Sequence, residues 1–282
     1  MRSDDEKRVI ASTMLERIES MPQVTPATAP VFCLDRLKKP KFFASAVLLK
    51  VKNWHFALTA GHVLDERSFS DLYIGSGDKV VLLDGSFGTT VPPGTGDRQQ
   101  DKIDIGIVRL SKETVQDMQE DEFLTLDDTY NLDTATTTGH YVFTGYPRSK
   151  HKRAIKEGQA EATPYSFAVV PAPLSDYQNF NLNPSISLLL RFDKQNLWRP
   201  SGRVEGPDPT GISGGGVWFL NNIFTTTPLR PLLVAIAIEK WKPPKPKRVL
   251  ATKLHVALSV IWDRFPELRP YLPEPPHESK GD

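Results

Sequence analysis

Ala44-Ser45-Ala46-Val47-Leu48-Leu49-Lys50-Val51-Lys52-Asn53-Trp54-His55-Phe56-Ala57-Leu58-Thr59-Ala60-Gly61-His62-Val63 holds two short apolar runs, Ala44–Val51 and His55–Ala60, followed by a glycine and a histidine. Runs of this length, rich in apolar and β-branched residues, read as strands. The same texture recurs at Asp71–Ile74, Lys79–Leu83, Ile105–Leu110, Tyr141–Gly145, Ser187–Phe192, Gly216–Leu220 and Leu232–Ile238. Turn formers separate these runs, as in Gly75-Ser76-Gly77-Asp78 and Pro92-Pro93-Gly94-Thr95-Gly96. Many short strands without alternating helices predict an all-β barrel or sandwich and argue against a doubly wound sheet.

Helical spacing shows only at the two ends. Val9, Ile10, Met14, Leu15, Ile18 and Met21 recur mostly at intervals of three and four, and Pro22 and Pro26 close the segment. Such a helix either packs on the outside of the main domain or docks a regulatory protein. Leu254, Leu258, Ile261, Trp262 and Phe265 repeat the pattern near the C-terminus. Beyond Pro266 stand Pro270, Pro273, Pro275 and Pro276, which predict extended or disordered chain. The expected organisation is an N-terminal helix within 1–27, a main domain over 28–266 and a proline-rich tail over 267–282. A C-terminal helix at about 252–265 closes the main domain.

Composition narrows the function classes. The 282 residues carry 35 basic and 34 acidic side chains, a balance that excludes a globally basic nucleic-acid binder. Two local clusters, Arg148–Arg153 and Lys240–Arg248, read as solvated loops, with only Trp241 for stacking. No apolar run approaches the ~20 residues that span a bilayer. Met1–Lys7 leads into no apolar signal core, and the single cysteine, Cys33, permits no intrachain disulfide. These features imply a cytoplasmic chain. The six histidines are scattered without metal-ligand spacing, and no Gly-x-x-x-x-Gly-Lys phosphate loop is present, so neither metal nor cofactor is expected.

Three segments carry potential chemistry. Leu58-Thr59-Ala60-Gly61-His62-Val63 places a histidine at the end of a strand. Asp104-Ile105-Gly106-Ile107-Val108-Arg109-Leu110 opens a strand with an acid. Gly211-Ile212-Ser213-Gly214-Gly215-Gly216-Val217 sets a serine in a glycine turn before a strand. Singly, each has a structural explanation in a hydrogen-bonded histidine, a turn acid or a loop serine. Together they give the order His…Asp…Ser at spacings of 42 and 109 residues, the order found in chymotrypsin.

On these motifs the chain resembles the trypsin-like serine peptidases of the chymotrypsin fold, and most closely their disulfide-free bacterial members. The resemblance spans roughly residues 40 to 262 and includes Val142-Phe143-Thr144-Gly145-Tyr146-Pro147, similar to a stretch in bacterial relatives. It implies two packed six-stranded β-barrels, at about 28–130 and 131–250, with the cleft between them. It also implies a polypeptide substrate and an acyl-enzyme on Ser213. His62 would take the serine proton and return it to the leaving amine. Asp104, preferred over Asp101 because an apolar run begins right after it, would hold the imidazole tautomer. The N–H groups of Gly211 and Ser213 would form the oxyanion hole, each contributing ~3 kcal/mol to the transition state.

The pattern departs from zymogen-activated members at Ile212, where they carry an acid that pairs with a new N-terminus. Such activation is therefore not expected, and the site is either competent as synthesised or ordered by a partner. Asp208, in the loop before the nucleophile, and Ile238 and Glu239, on a strand similar to the one that pairs with bound peptide, are the candidate substrate contacts. Two other readings exist. Gly211–Gly215 also fits the Gly-x-Ser-x-Gly elbow of α/β-hydrolases, but the proline-rich Glu205–Thr210 precedes it and a strand follows it, the reverse of that fold's order. A catalytically silent peptide-binding or regulatory module on the same fold is the second, and the intact triad argues against it.

Overall fold

A computed structural model describes residues 3–19, 24–35, 39–91, 94, 96–130, 139–150, 155–156, 159–160, 162–199, 202–220, 223, 231–240 and 247–275. Several residues named above, including Pro22, His151–Arg153, Trp241 and Pro276, lie outside them.

The chain starts with helix α1 (Asp4–Glu19), whose first turn is acidic. Ser3 and Glu6 cap it reciprocally: the Glu6 N–H donates to Ser3 Oγ and the Ser3 N–H to the Glu6 carboxylate. Ala11, Met14 and Leu15 form its buried face. The short helix α2 (Val24–Ala27) leads into the first half of the fold.

That half contains β1 (Thr28–Leu34), β2 (Pro40–Val51), β3 (Trp54–Ala60), β4 (Leu72–Ser76), β5 (Lys79–Leu82), β6 (Gly85–Thr89) and β7 (Ile105–Leu110), with helices α3 (Gly61–Asp65) and α4 (Lys112–Gln116) between and after them. The strands form one antiparallel sheet in the order β5-β4-β1-β2-β3-β7-β6. It has one strand more than the six expected. Central strands β2 and β3 are buried along nearly their whole length, as their apolar runs require.

The second half holds the closed barrel β11-β12-β17-β16-β15-β8. Its strands are β8 (His140–Gly145), β11 (Tyr165–Pro171), β12 (Ser187–Arg191), β15 (Gly216–Leu220), β16 (Leu232–Lys240) and β17 (Arg248–Lys253). Two hairpins, β9 (Ile155–Lys156) with β10 (Gln159–Ala160) and β13 (Leu197–Arg199) with β14 (Gly202–Val204), and helix α5 (Leu174–Asn179) extend its loops. Closure leaves the barrel no free edge. Phe143, Phe167 and Phe192 fill its interior, with ring centroids 4.8 to 5.5 Å apart.

Helix α6 (Leu254–Arg264) follows β17 directly and straps the barrel to the first half. Leu254, Ala257, Leu258 and Ile261 are buried, and Phe265 meets Phe56 of β3 at 5.7 Å. The start of the proline-rich tail differs from expectation. Pro266–Tyr271 is a 3-10 helix, and Leu268 and Leu272 are buried. Two leucines at a spacing of four supply enough apolar surface to hold a segment whose prolines alone predict disorder. Among the described residues no helix is long and apolar enough to cross a membrane.

Candidate active site

Strand pairing brings the histidine and acid segments together. β3 and β7 are antiparallel, with Ala60 opposite Ile105. The residues just beyond one strand and just before the other must therefore meet, although 42 residues separate them. His62 sits in α3, and its Nδ1 lies 2.6 Å from Asp104 Oδ2. The His62 backbone N–H donates to Oδ1 of the same carboxylate at 2.8 Å, and the Gly61 N–H donates to the Asp104 carbonyl at 2.7 Å. A carboxylate accepts, so Nδ1 is the donor in this pair. Asp104 is 6% exposed and has φ of +40°, a left-handed conformation that aspartate tolerates better than most residues. The His62 side chain is 40% exposed, which leaves the ring accessible.

Asp101 is occupied elsewhere. Its carboxylate accepts from Arg98 Nη1, Thr90 Oγ1 and the Ile103 N–H, each at 2.9 Å. Arg98, which the sequence reading missed, organises this acidic cluster. It forks onto Asp65 at 2.9 and 3.2 Å, donates to the Thr90 carbonyl at 2.7 Å, and lies 3.8 Å from Asp104 Oδ1. Its sequence neighbourhood reads as a polar loop, and the only hint was the nearby acids it must neutralise.

The serine segment is a tight turn leading into β15. The Gly214 N–H donates to the Ala237 carbonyl at 2.7 Å and the Gly215 N–H to the Ile212 carbonyl at 2.8 Å. Gly211 and Gly214 have φ of +95° and +88°, which side-chain-bearing residues rarely adopt. A Cβ on Gly214 would also stand 1.9 Å from the Ser45 carbonyl oxygen. Ser45, on β2 of the other half, fastens the turn. Its N–H donates to the Ser213 carbonyl at 2.9 Å, and its hydroxyl donates to the Gly211 carbonyl at 3.2 Å while accepting the Tyr146 N–H at 2.9 Å. This residue was also missed; its sole signal is a hydroxyl inside an apolar run, and it is fully buried. Among the described residues, the N–H groups of Gly211 and Ser213 find no protein acceptor.

His62, Gly211 and Ser213 line one cavity of 210 Å³. Its walls are apolar, with Phe143, Ile212, Ala237 and Val249, and Ile238 and Glu239 of β16 border it. Two of the three candidate substrate contacts are therefore at the cavity. Asp208 is not among its lining residues: its Oδ1 accepts from the Thr210 N–H at 2.9 Å and the Thr210 hydroxyl at 2.6 Å, an Asx turn, and Pro209 and Thr210 form the wall in its place. Ile212 is 2% exposed and packs inside the barrel with Phe143 and its neighbours. Among the described residues, no group of three or more His, Cys, Asp or Glu side chains is placed to hold a metal ion.

No family model matches the chain, and no curated protein does. Among solved structures it is similar to one described as "Structure of GrC", a granzyme, with a TM-score of 0.54 and 12% identity. The match covers 87% of this chain and 96% of that chain. The likeness and the strand arrangement show the fold: two β-sheet halves in the chymotrypsin-like manner, with helices at both ends.

Proposed function

We propose that the chain is a serine endopeptidase that cleaves polypeptides through an acyl-enzyme on Ser213. One observation carries this reading. His62, its Nδ1 donating to buried Asp104, shares a cavity with Ser213 and with two backbone N–H groups that have no acceptor among the described residues. Ser213 Oγ attacks the scissile carbonyl as His62 Nε2 takes its proton. The charge on the carbonyl oxygen develops toward the Gly211 and Ser213 N–H groups, and His62 then protonates the leaving amine. Burial of Ile212 within the barrel supports a turn that needs no inserted N-terminus to hold it. The disulfide-free sequence is in keeping with the bacterial relatives it resembles, and a cytoplasmic setting is the reading that accompanies it.

The test is digestion of a peptide library, with products identified by mass spectrometry. Wild type is expected to produce defined internal cleavages, and Ser213→Ala to lose turnover by about 10⁴- to 10⁶-fold. Equal cleavage by the two proteins would overturn the reading.

A further inference from the structure

Away from the proposed active site, the underside of α1 borders a cavity of 660 Å³ against the closed barrel, beside β11 and the end of β12. Ile10, Ala11 and Met14 of the helix form one wall. Ala168 and Val169 of β11, with Phe192, form the other. A second cavity of 450 Å³ shares Ile10, Met14, Val169, Val170 and Arg191 with the first, so the two adjoin. A volume of this size is in the range of small-molecule sites.

The rim is cationic. Lys7, Arg191, Lys247 and Arg248 border the large cavity, against the single acid Asp193. Three of these cations have partners: Lys7 with Asp4, Lys247 with Asp193, and Arg248 with Asp176. Among the described residues Arg191 has neither ion pair nor side-chain hydrogen bond, although it borders both cavities. An apolar slot with an uncommitted guanidinium at its mouth is complementary to an anion carried on a hydrocarbon tail.

We propose that this cavity is a binding site for an amphiphilic carboxylate, with the acyl chain between α1 and β11 and the carboxylate on Arg191. The site is built partly by α1, so occupancy fastens that helix to the barrel. Nothing in this inference depends on the peptidase reading, since the cavity and Arg191 lie apart from His62, Asp104 and Ser213.

The experiment is calorimetric titration of the full chain with hexanoate, octanoate and decanoate, below their micelle-forming concentrations, beside decanol as an uncharged control. Saturable binding is expected to tighten about fourfold per added methylene. Decanol should bind at least about tenfold more weakly than decanoate. Arg191→Gln, a change at an exposed side chain, should weaken decanoate about tenfold or more while leaving decanol within about twofold. Ala168→Phe, which narrows the slot, should abolish binding of both, and its melting temperature verifies that it is folded. The proposal is overturned if wild type shows no saturable binding, if affinity does not rise with chain length, or if Arg191→Gln leaves decanoate unchanged.

Discussion

At Asp104 the chemistry and the backbone can be separated by a single atom. Asparagine tolerates the left-handed conformation as readily as aspartate, so Asp104→Asn preserves the φ of +40°. It replaces an acceptor-only oxygen with a group that also donates, and the histidine tautomer is no longer fixed. Turnover is expected to fall ~10⁴-fold with substrate binding and melting temperature little changed. Asp101→Asn touches Arg98, Thr90 and Ile103 instead of His62, and should affect stability more than turnover. Steady-state kinetics and thermal melts on both variants check this, and a reversal of the two effects would refute the assignment of the acid. The sequence made this pair of residues legible because an apolar run begins immediately after Asp104. It hid Arg98 and Ser45, whose partners come from loops and strands far along the chain. Asp208, between two prolines, reads either as a pocket residue or as a turn former, and its carboxylate makes a local turn with Thr210.

Among the elements, strands with uninterrupted apolar runs were legible, and β7 and β15 have the bounds their sequences suggest. β1 was not, because Pro26 and Pro30 mark a break, yet Pro30 pairs with Ser45 inside the sheet next to a register shift. β6 (Gly85–Thr89) was hidden by its glycines, and its neighbours in β7 supply the apolar surface it lacks. Where β4 ends, buried Glu122 takes the Ser76 hydroxyl and the Gly77 N–H, tying the β4–β5 turn to the segment at Glu120–Glu122. Burial pushes its carboxyl above the usual glutamate range, against the lowering effect of those hydrogen bonds. Folding therefore favours the protonated form. The contribution is complete below the unfolded value of ~4.3 and declines as pH rises through the higher folded value. Chemical denaturation across pH 4 to 8 is expected to show this decline in wild type and a flatter profile in Glu122→Gln. Parallel profiles for the two proteins would contradict it.

Across the whole molecule, the proposed activity is expected not to depend on a cut N-terminus. α1 lies on the outside of the closed barrel, over β8, β11 and β13, and Ile212 fills the barrel interior with apolar contacts. An aspartate at 212 would put a charge where Ile212 is 2% exposed, costly unless a partner pairs with it. Acetylation of the N-terminal amine is expected to leave peptide turnover unchanged, measured on matched acetylated and free preparations. Activity that requires a free amine would contradict this account. The most direct measurement of the central claim needs no knowledge of the substrate: react the native protein with a fluorophosphonate and map the adduct by mass spectrometry. The account predicts one adduct, on Ser213, absent in Ser213→Ala and formed far more slowly in His62→Ala. No adduct on the native protein, or an adduct on another serine, would contradict it.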